Sequence, residues 1–191
     1  MSTRRKTFAA REDLIDTVKE IARRKGYSLY DYVNELFEAA IRAEKTGYSI
    51  SGVVEEILFI KQVRESGFIL VPENVFQAMV KLAYTRREEA LKAWWEAGLW
   101  MGKSYRAKYG GEAVSRFRDM AHRIFWDIPE LEVSSIGDEV EIVVTSPKFS
   151  QEYAEVFKRM LEGLLEGLSY SVINSEIIGK TIRLKGRLRN V

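Results

Sequence analysis

The chain has 191 residues, 46% hydrophobic and 30% charged, which excludes wholesale disorder and suits one medium domain or a small domain plus a medium one. Lys and Arg number 30 against 28 Asp and Glu, so overall charge does not mark a nucleic-acid binder and any such signal must be local. With no Cys and one His, disulfide scaffolds, thiol catalysis, iron–sulfur clusters, Cys-based zinc sites and sites needing two histidines are excluded.

No apolar run approaches the roughly 20 residues of a membrane span. The start, MSTRRKTFAA, lacks the apolar core of a signal peptide. A cytoplasmic chain with no membrane partner is expected. Dense Lys, Arg and Glu with only three Gln and four Asn point to a thermophile. Three stretches separate: residues 1–47, a connecting helix over 48–67, and a mixed region over 68–191.

Lys6-Thr7-Phe8-Ala9-Ala10 reads as a strand with Arg5, Thr7 and Ala9 on one face and Lys6, Phe8 and Ala10 on the other. Residues 12–25 are helical, with Leu14, Val18, Ile21 and Ala22 on one face. Acids open this helix, Arg23, Arg24 and Lys25 close it, and Gly26 is a natural C-terminal cap. Ser28 then reads as an N-cap, with Asp31 completing a capping-box variant. The helix it starts carries Leu29, Val33, Leu36, Phe37, Ala40 and Ile41 on one face and ends near Lys45–Gly47. A segment this short rarely builds a sufficient core alone. An intertwined homodimer is expected, its core drawing on Phe8, Leu14, Val18, Ile21, Val33, Leu36 and Phe37. Pairing of dimers into a tetramer stays open.

Residues 1–11 contain Arg4, Arg5, Lys6 and Arg11 and no acid. A dimer doubles that charge on one edge, which would bind phosphate with a steep salt dependence. The alternative is a basic tail without function. The order strand–helix–helix, with the joint Gly26-Tyr27-Ser28, resembles the ribbon-helix-helix DNA-binding family (the CopG, Arc and MetJ class) over residues 4–45. The resemblance implies that two strands, one per chain, pair as an antiparallel ribbon in the major groove of double-stranded DNA. Arg5, Thr7 and Ala9 would then face the bases. Arg4, Lys6, Arg11, Ser28 and the amides of Leu29 and Tyr30 would face phosphates. The chain departs from the family at Ala9, which offers no side-chain hydrogen bond, at Lys6, where an apolar residue is usual, and at Arg11, where Pro is common.

Beyond Gly67-Phe68-Ile69-Leu70-Val71-Pro72, helical patterns run over 73–84, 87–109 and 112–126. Strands at 131–136 and 139–145 turn at Gly137-Asp138, a strong helix spans 150–168, and strands at 171–178 and 181–188 turn at Gly179-Lys180. This order is an α+β class, helices packed on an antiparallel sheet. Val140, Ile142 and Val144 face inward on one strand, and Ile182, Leu184 and Leu188 on another. The far face of the last strand is Arg183, Lys185, Arg187 and Arg189. It reads either as a solvated face balanced by Glu139 and Glu141 or as a second nucleic-acid surface.

The run from Ala90 through Trp94-Trp95-Glu96-Ala97-Gly98-Leu99-Trp100-Met101-Gly102-Lys103, the hairpin, and Phe157 to Leu168 followed by two strands resemble the 4-vinyl-reductase-type small-ligand domain, itself similar to haem-NO-binding folds. The resemblance implies a sensor of a small apolar molecule or a dimerisation platform. That family's Cys-containing, metal-holding hairpin has no counterpart here, so no metal and no cofactor is expected. Trp94, Trp95, Trp100 and Trp126 are core aromatics or the lining of a ligand pocket. His122 is either an axial haem ligand or, as a lone His on a mixed helix usually is, an ordinary packed or surface side chain. No phosphate-binding loop, nucleophile elbow or metalloprotease motif occurs, and no enzyme is expected.

The expectation is therefore a dimeric DNA-binding transcriptional regulator with a C-terminal small-molecule-sensing domain. The alternatives are an interaction protein that uses its N-terminal module only to dimerise, and a sequence-tolerant nucleoid protein.

Overall fold

Helix-terminating glycines and a loop at Gly67–Pro72 divide the chain into two compact units, with the boundary between Ile69 and Leu70. The computed structural model describes residues 6–65 and 67–189. The first unit holds three helices, α1 (Glu12–Lys25), α2 (Leu29–Lys45) and α3 (Ile50–Glu65). Gly26 stands at φ 76° and closes α1, its amide reaching back to the last-turn carbonyls. Ser28 caps α2: its hydroxyl accepts the Asp31 amide at 3.1 Å and donates to the Asp31 carboxylate at 2.6 Å. Residues 6–10, expected as a strand, belong to no regular element in the single chain. A lone strand has no ladder to join.

The interior of this unit is thin. Ala22, Tyr32 and Phe59 are buried. Leu14, Leu36, Phe37 and Ile41 on α1 and α2, and Val54, Ile57, Leu58 and Ile60 on α3, are all exposed. The apolar residues of α3 fall on several faces, so α3 has no single polar side to turn to water.

The second unit holds α4 (Glu73–Ala83), α5 (Arg87–Tyr109), α6 (Ala113–Ile124) and α7 (Gln151–Gly167) with strands β1 (Glu130–Ile136), β2 (Glu139–Thr145), β3 (Tyr170–Ile178) and β4 (Thr181–Leu188). Short 3₁₀ turns at Tyr84–Arg86 and Gly110–Glu112 join α4 to α5 and α5 to α6. The chain is α+β: two hairpins lie side by side in one antiparallel sheet of order β1-β2-β4-β3. Glu141 stands opposite Lys185 and Glu139 opposite Arg187. Glu141 lies 3.6 Å from Arg183 and 3.9 Å from Lys185, and Glu139 accepts from Arg187 at 2.5 Å. The basic face of the last strand is thus balanced within the sheet.

On the opposite face Val140, Ile142, Val144, Ile182 and Leu184 are buried. The expected inward place of Leu188 is not realised, for it is 43% exposed. Gly186, buried at the preceding inward position, takes the last covered place on β4. A Cβ there would lie 3.1 Å from Tyr170 Cβ and 3.3 Å from Leu165 Cδ1.

Helix α7 packs on both α5 and the strands β3 and β4, and its residues 160–165 are buried without interruption. Four glycines make this possible. Gly98 and Gly102 lie one turn apart on α5, Gly163 and Gly167 one turn apart on α7. A Cβ on Gly98 would overlap the Met160 carbonyl, and one on Gly167 would come within 2.5 Å of the Leu99 carbonyl oxygen. The two helices therefore touch backbone to backbone, a contact only glycine allows. They run in the same direction, since Gly98 faces Met160–Leu164 and Gly102 faces Leu164–Gly167.

Candidate functional site

The expected DNA-facing residues fall in two groups. Arg4 and Arg5 lie outside the described residues. Lys6, Thr7, Phe8, Ala9 and Ala10 are exposed. Phe8 sits edge-on to Phe37, ring centroids 5.4 Å apart, which ties this segment to the exposed face of α2. Arg11 is also exposed, but its guanidinium grips Asp13 through Nε at 3.0 Å and Nη2 at 2.5 Å. That pairing holds the Asp13 carboxyl below its usual range. Leu29 and Tyr30 open the first turn of α2. Beside them, Asp31 holds the Ser28 hydroxyl. A carboxylate thus stands where the expected phosphate cradle lies.

Of the expected dimer-core residues, Val18, Ile21 and Val33 are half-buried, while Phe8, Leu14, Leu36 and Phe37 are exposed.

The four tryptophans do not share one cavity. Trp94 joins a cluster with Phe76 and Tyr153, in which the Tyr153 hydroxyl donates to Asp127 at 2.8 Å. Burial, then Asp127, pushes the Tyr153 phenol well above its ordinary value. Trp100 and Trp126 are more than half exposed. Trp95 lines a groove. His122 is exposed on α6, and no group of three or more His, Asp or Glu among the described residues is placed to hold a metal. Among the described residues no helix is long and apolar enough to cross a membrane.

The groove around Trp95 has a volume of about 690 Å³, within the range of small-molecule sites. It forms because α5 outlasts its partner. Gly102 lies against Gly167, the last residue of α7, and α5 continues to Tyr109. Trp95, Leu99, Lys103 and Arg106 line the α5 side, with Glu166 and Arg189 across from them. The chain leaves α7 through Ser169, a non-glycine residue at φ 72°. That conformation is uncommon for Ser. It is held on three sides: the Ser169 amide donates to Glu166 at 3.0 Å, its carbonyl accepts the Arg189 amide at 2.9 Å, and its hydroxyl accepts from Arg106.

The groove carries three cations and one carboxylate. Glu166 accepts the Trp95 indole N–H at 3.3 Å and lies 3.9 Å from Arg189. Arg189 also donates to Ser171 at 3.0 Å. Lys103 has no ion-pair partner among the described residues. Of this lining the sequence marks Trp95 as a pocket candidate, while Lys103, Arg106, Glu166 and Ser169 carry no such mark, although the residues on α5 recur at helical spacing. The missing signal was the convergence of Ser169 and Arg189 from the two ends of a hairpin.

A second charged cluster lies further back on α7. Glu162, 8% exposed, accepts from Lys158 at 3.0 Å, Arg159 at 2.6 Å and the Ser175 hydroxyl at 2.5 Å. Burial opposes ionisation of Glu162, but Ser175, Arg159 and Lys158 together outweigh it and hold its carboxyl below the ordinary value.

No family model matches the chain, and no curated protein matches it. Solved structures similar to it include the following two. One, described as "Probing the function of heme distortion in the H-NOX family", aligns with 71% of this chain and 86% of its own at 12% identity and a TM-score of 0.40. The other, described as "Modulating Heme Redox Potential Through Protein-Induced Porphyrin Distortion", aligns with 71% of this chain and 90% of its own at 13% identity and a TM-score of 0.37. A likeness of this depth carries no argument about what the present chain binds.

Proposed function

We propose that the chain is a homodimeric, ribbon-helix-helix-type DNA-binding regulator whose C-terminal α+β unit senses a small molecule. The observation that carries the reading is the uncovered apolar face of the first unit. Leu14, Leu36, Phe37 and Ile41 are each at least 36% exposed, with Phe8 laid against Phe37. A face of this kind needs a partner, and a second copy supplies one that also pairs the two 6–10 segments as a ribbon. The cluster Arg4, Arg5 and Lys6 then supplies the charge that DNA requires. In the sensing role, a ligand on the second unit would shift the balance between DNA-binding and non-binding arrangements of the dimer.

The test is binding to duplex DNA by the full chain and by Arg5→Ala and Thr7→Ala. Loss of sequence preference in Arg5→Ala supports the ribbon, and unchanged affinity and preference in both variants removes it. A second reading, an assembly protein that uses the first unit only to dimerise, is favoured by the Arg11–Asp13 pair and by Asp31 at the start of α2. Both place negative charge where phosphates would lie. That reading predicts a dimer with no DNA affinity beyond that of any basic surface.

A further inference from the structure

We infer that the groove at the end of α7 is a binding site for a small apolar carboxylate, one with a flat or branched hydrocarbon body. The inference deepens the sensing reading by naming its site and ligand class, and binding itself does not depend on the DNA role. Glu166 is already committed to Trp95 and Arg189, so it offsets one of the three cations. Lys103 and Arg106 remain, one helical turn apart on α5 and so on one face. Among the described residues Lys103 has no counter-charge and Arg106 meets only a neutral hydroxyl. A planar guanidinium fork with an ammonium beside it matches a single carboxylate, which it binds through paired, charge-assisted hydrogen bonds.

The rest of the groove is apolar where a hydrocarbon body would rest. Leu99 and Ala107 flank the cations along α5, and Trp95 presents an indole whose N–H is already satisfied. The Arg159 guanidinium lies over its ring, 5.9 Å from the centroid, and the indole carbons that line the groove are the apolar surface it offers. The uncommon backbone of Ser169 supports the same conclusion. Three hydrogen bonds fix it, and through its hydroxyl it holds the Arg106 guanidinium over the groove. A guanidinium held in this way loses less freedom when an anion arrives.

The test uses the ¹⁵N-labelled full chain, whose four Trp indole N–H signals report separately on the groove and on the exposed surface. Trp95 is assigned by the signal lost in Trp95→Phe. The probes are 2-naphthoate and its neutral counterpart 2-naphthamide. The expected result is a saturable shift of the Trp95 signal with naphthoate, no matching shift at Trp100 or Trp126, and binding at least about tenfold weaker for the amide. Arg106→Gln should weaken naphthoate binding by about tenfold and Arg106→Lys by less, because Lys keeps the charge and loses the fork. Equal affinity for acid and amide, equal shifts at Trp100 and Trp126, or wild-type binding by Arg106→Gln would each overturn the site. DNA titration with and without naphthoate separates the two claims. Unchanged DNA affinity beside a responding Trp95 removes the regulatory reading and leaves the site standing. A silent Trp95 removes the site and leaves the DNA reading as it was.

Discussion

Replacing Gly98 by Ala adds one methyl group at the closest approach of α5 and α7. Its Cβ would overlap the Met160 carbonyl and lie 2.9 Å from the Leu164 nitrogen. Both obstacles are backbone, so no rotamer change relieves the overlap and the helices must separate by about 1 Å. A radial gap of that size forfeits about a quarter to a half of the dispersion energy of atoms facing it. Helix α7 carries Phe157, Leu161, Leu164 and Leu165, each at most 1% exposed, so the loss is spread over several side chains. It comes to about 3 kcal/mol, the upper end of the usual overpacking cost. The better helix propensity of Ala returns about 1 kcal/mol. The net loss of about 2 kcal/mol lowers Tm by about 4–8 °C for a chain of this length. Thermal unfolding followed by circular dichroism reads the shift. Gly111→Ala is the matched control, since nothing lies within 4 Å of a Cβ there, and its expected change is within about 0.5 kcal/mol. A Gly98→Ala variant melting at or above wild type would refute the backbone-contact account.

Three further outcomes follow from the same geometry. Glu162 has a folded-state value below its ordinary 4.5, so its contribution is fully present above that pH and fades as pH falls through the lower folded value. Glu162→Gln should cost about 1–3 kcal/mol in urea unfolding at pH 7 and show a shallower loss toward pH 3; equal stability at pH 7 would contradict the assigned network. Phe37→Glu should convert the proposed dimer to a species of 22.0 kDa in sedimentation velocity, and a wild-type chain already at that mass would remove the dimer face. Trp100→Phe with Trp126→Phe should abolish most acrylamide-accessible emission, because those two indoles are 56% and 55% exposed; an unchanged quenching constant would show that their exposure is wrongly assigned.

Element positions were largely legible because each carried its own local signal. Capping at Ser28 and Gly26, and the apolar stripes of α1, α2 and α7, mark helices without knowledge of the rest of the chain. Gly137-Asp138 and Gly179-Lys180 mark the two hairpins, since each turn glycine takes a positive φ. The charge match between β2 and β4 was legible as well, because Glu139 and Glu141 alternate with apolar residues as the facing cations do. The rest depended on distant partners. The spacing of Gly98, Gly102, Gly163 and Gly167 was in plain view, but its meaning requires knowing that helix segments 65 residues apart in the chain (98 to 163 and 102 to 167) meet there. The Trp set looked like one group because it is close in sequence, yet helix rotation sends Trp94 and Trp95 inward and Trp100 to solvent. Leu188 fits the inward alternation of its strand, but cover ends at Gly186.

The central claim, that the first unit delivers a dimer to DNA, is tested most directly by a fluorescence-anisotropy titration of the full chain. The targets are the duplex upstream of its own coding sequence and a scrambled duplex of equal composition, at two salt concentrations. The account predicts tighter binding to the upstream duplex by a factor of about 10³ or more, weakening steeply with salt. Equal affinity for both duplexes, or no binding at low salt, would contradict it.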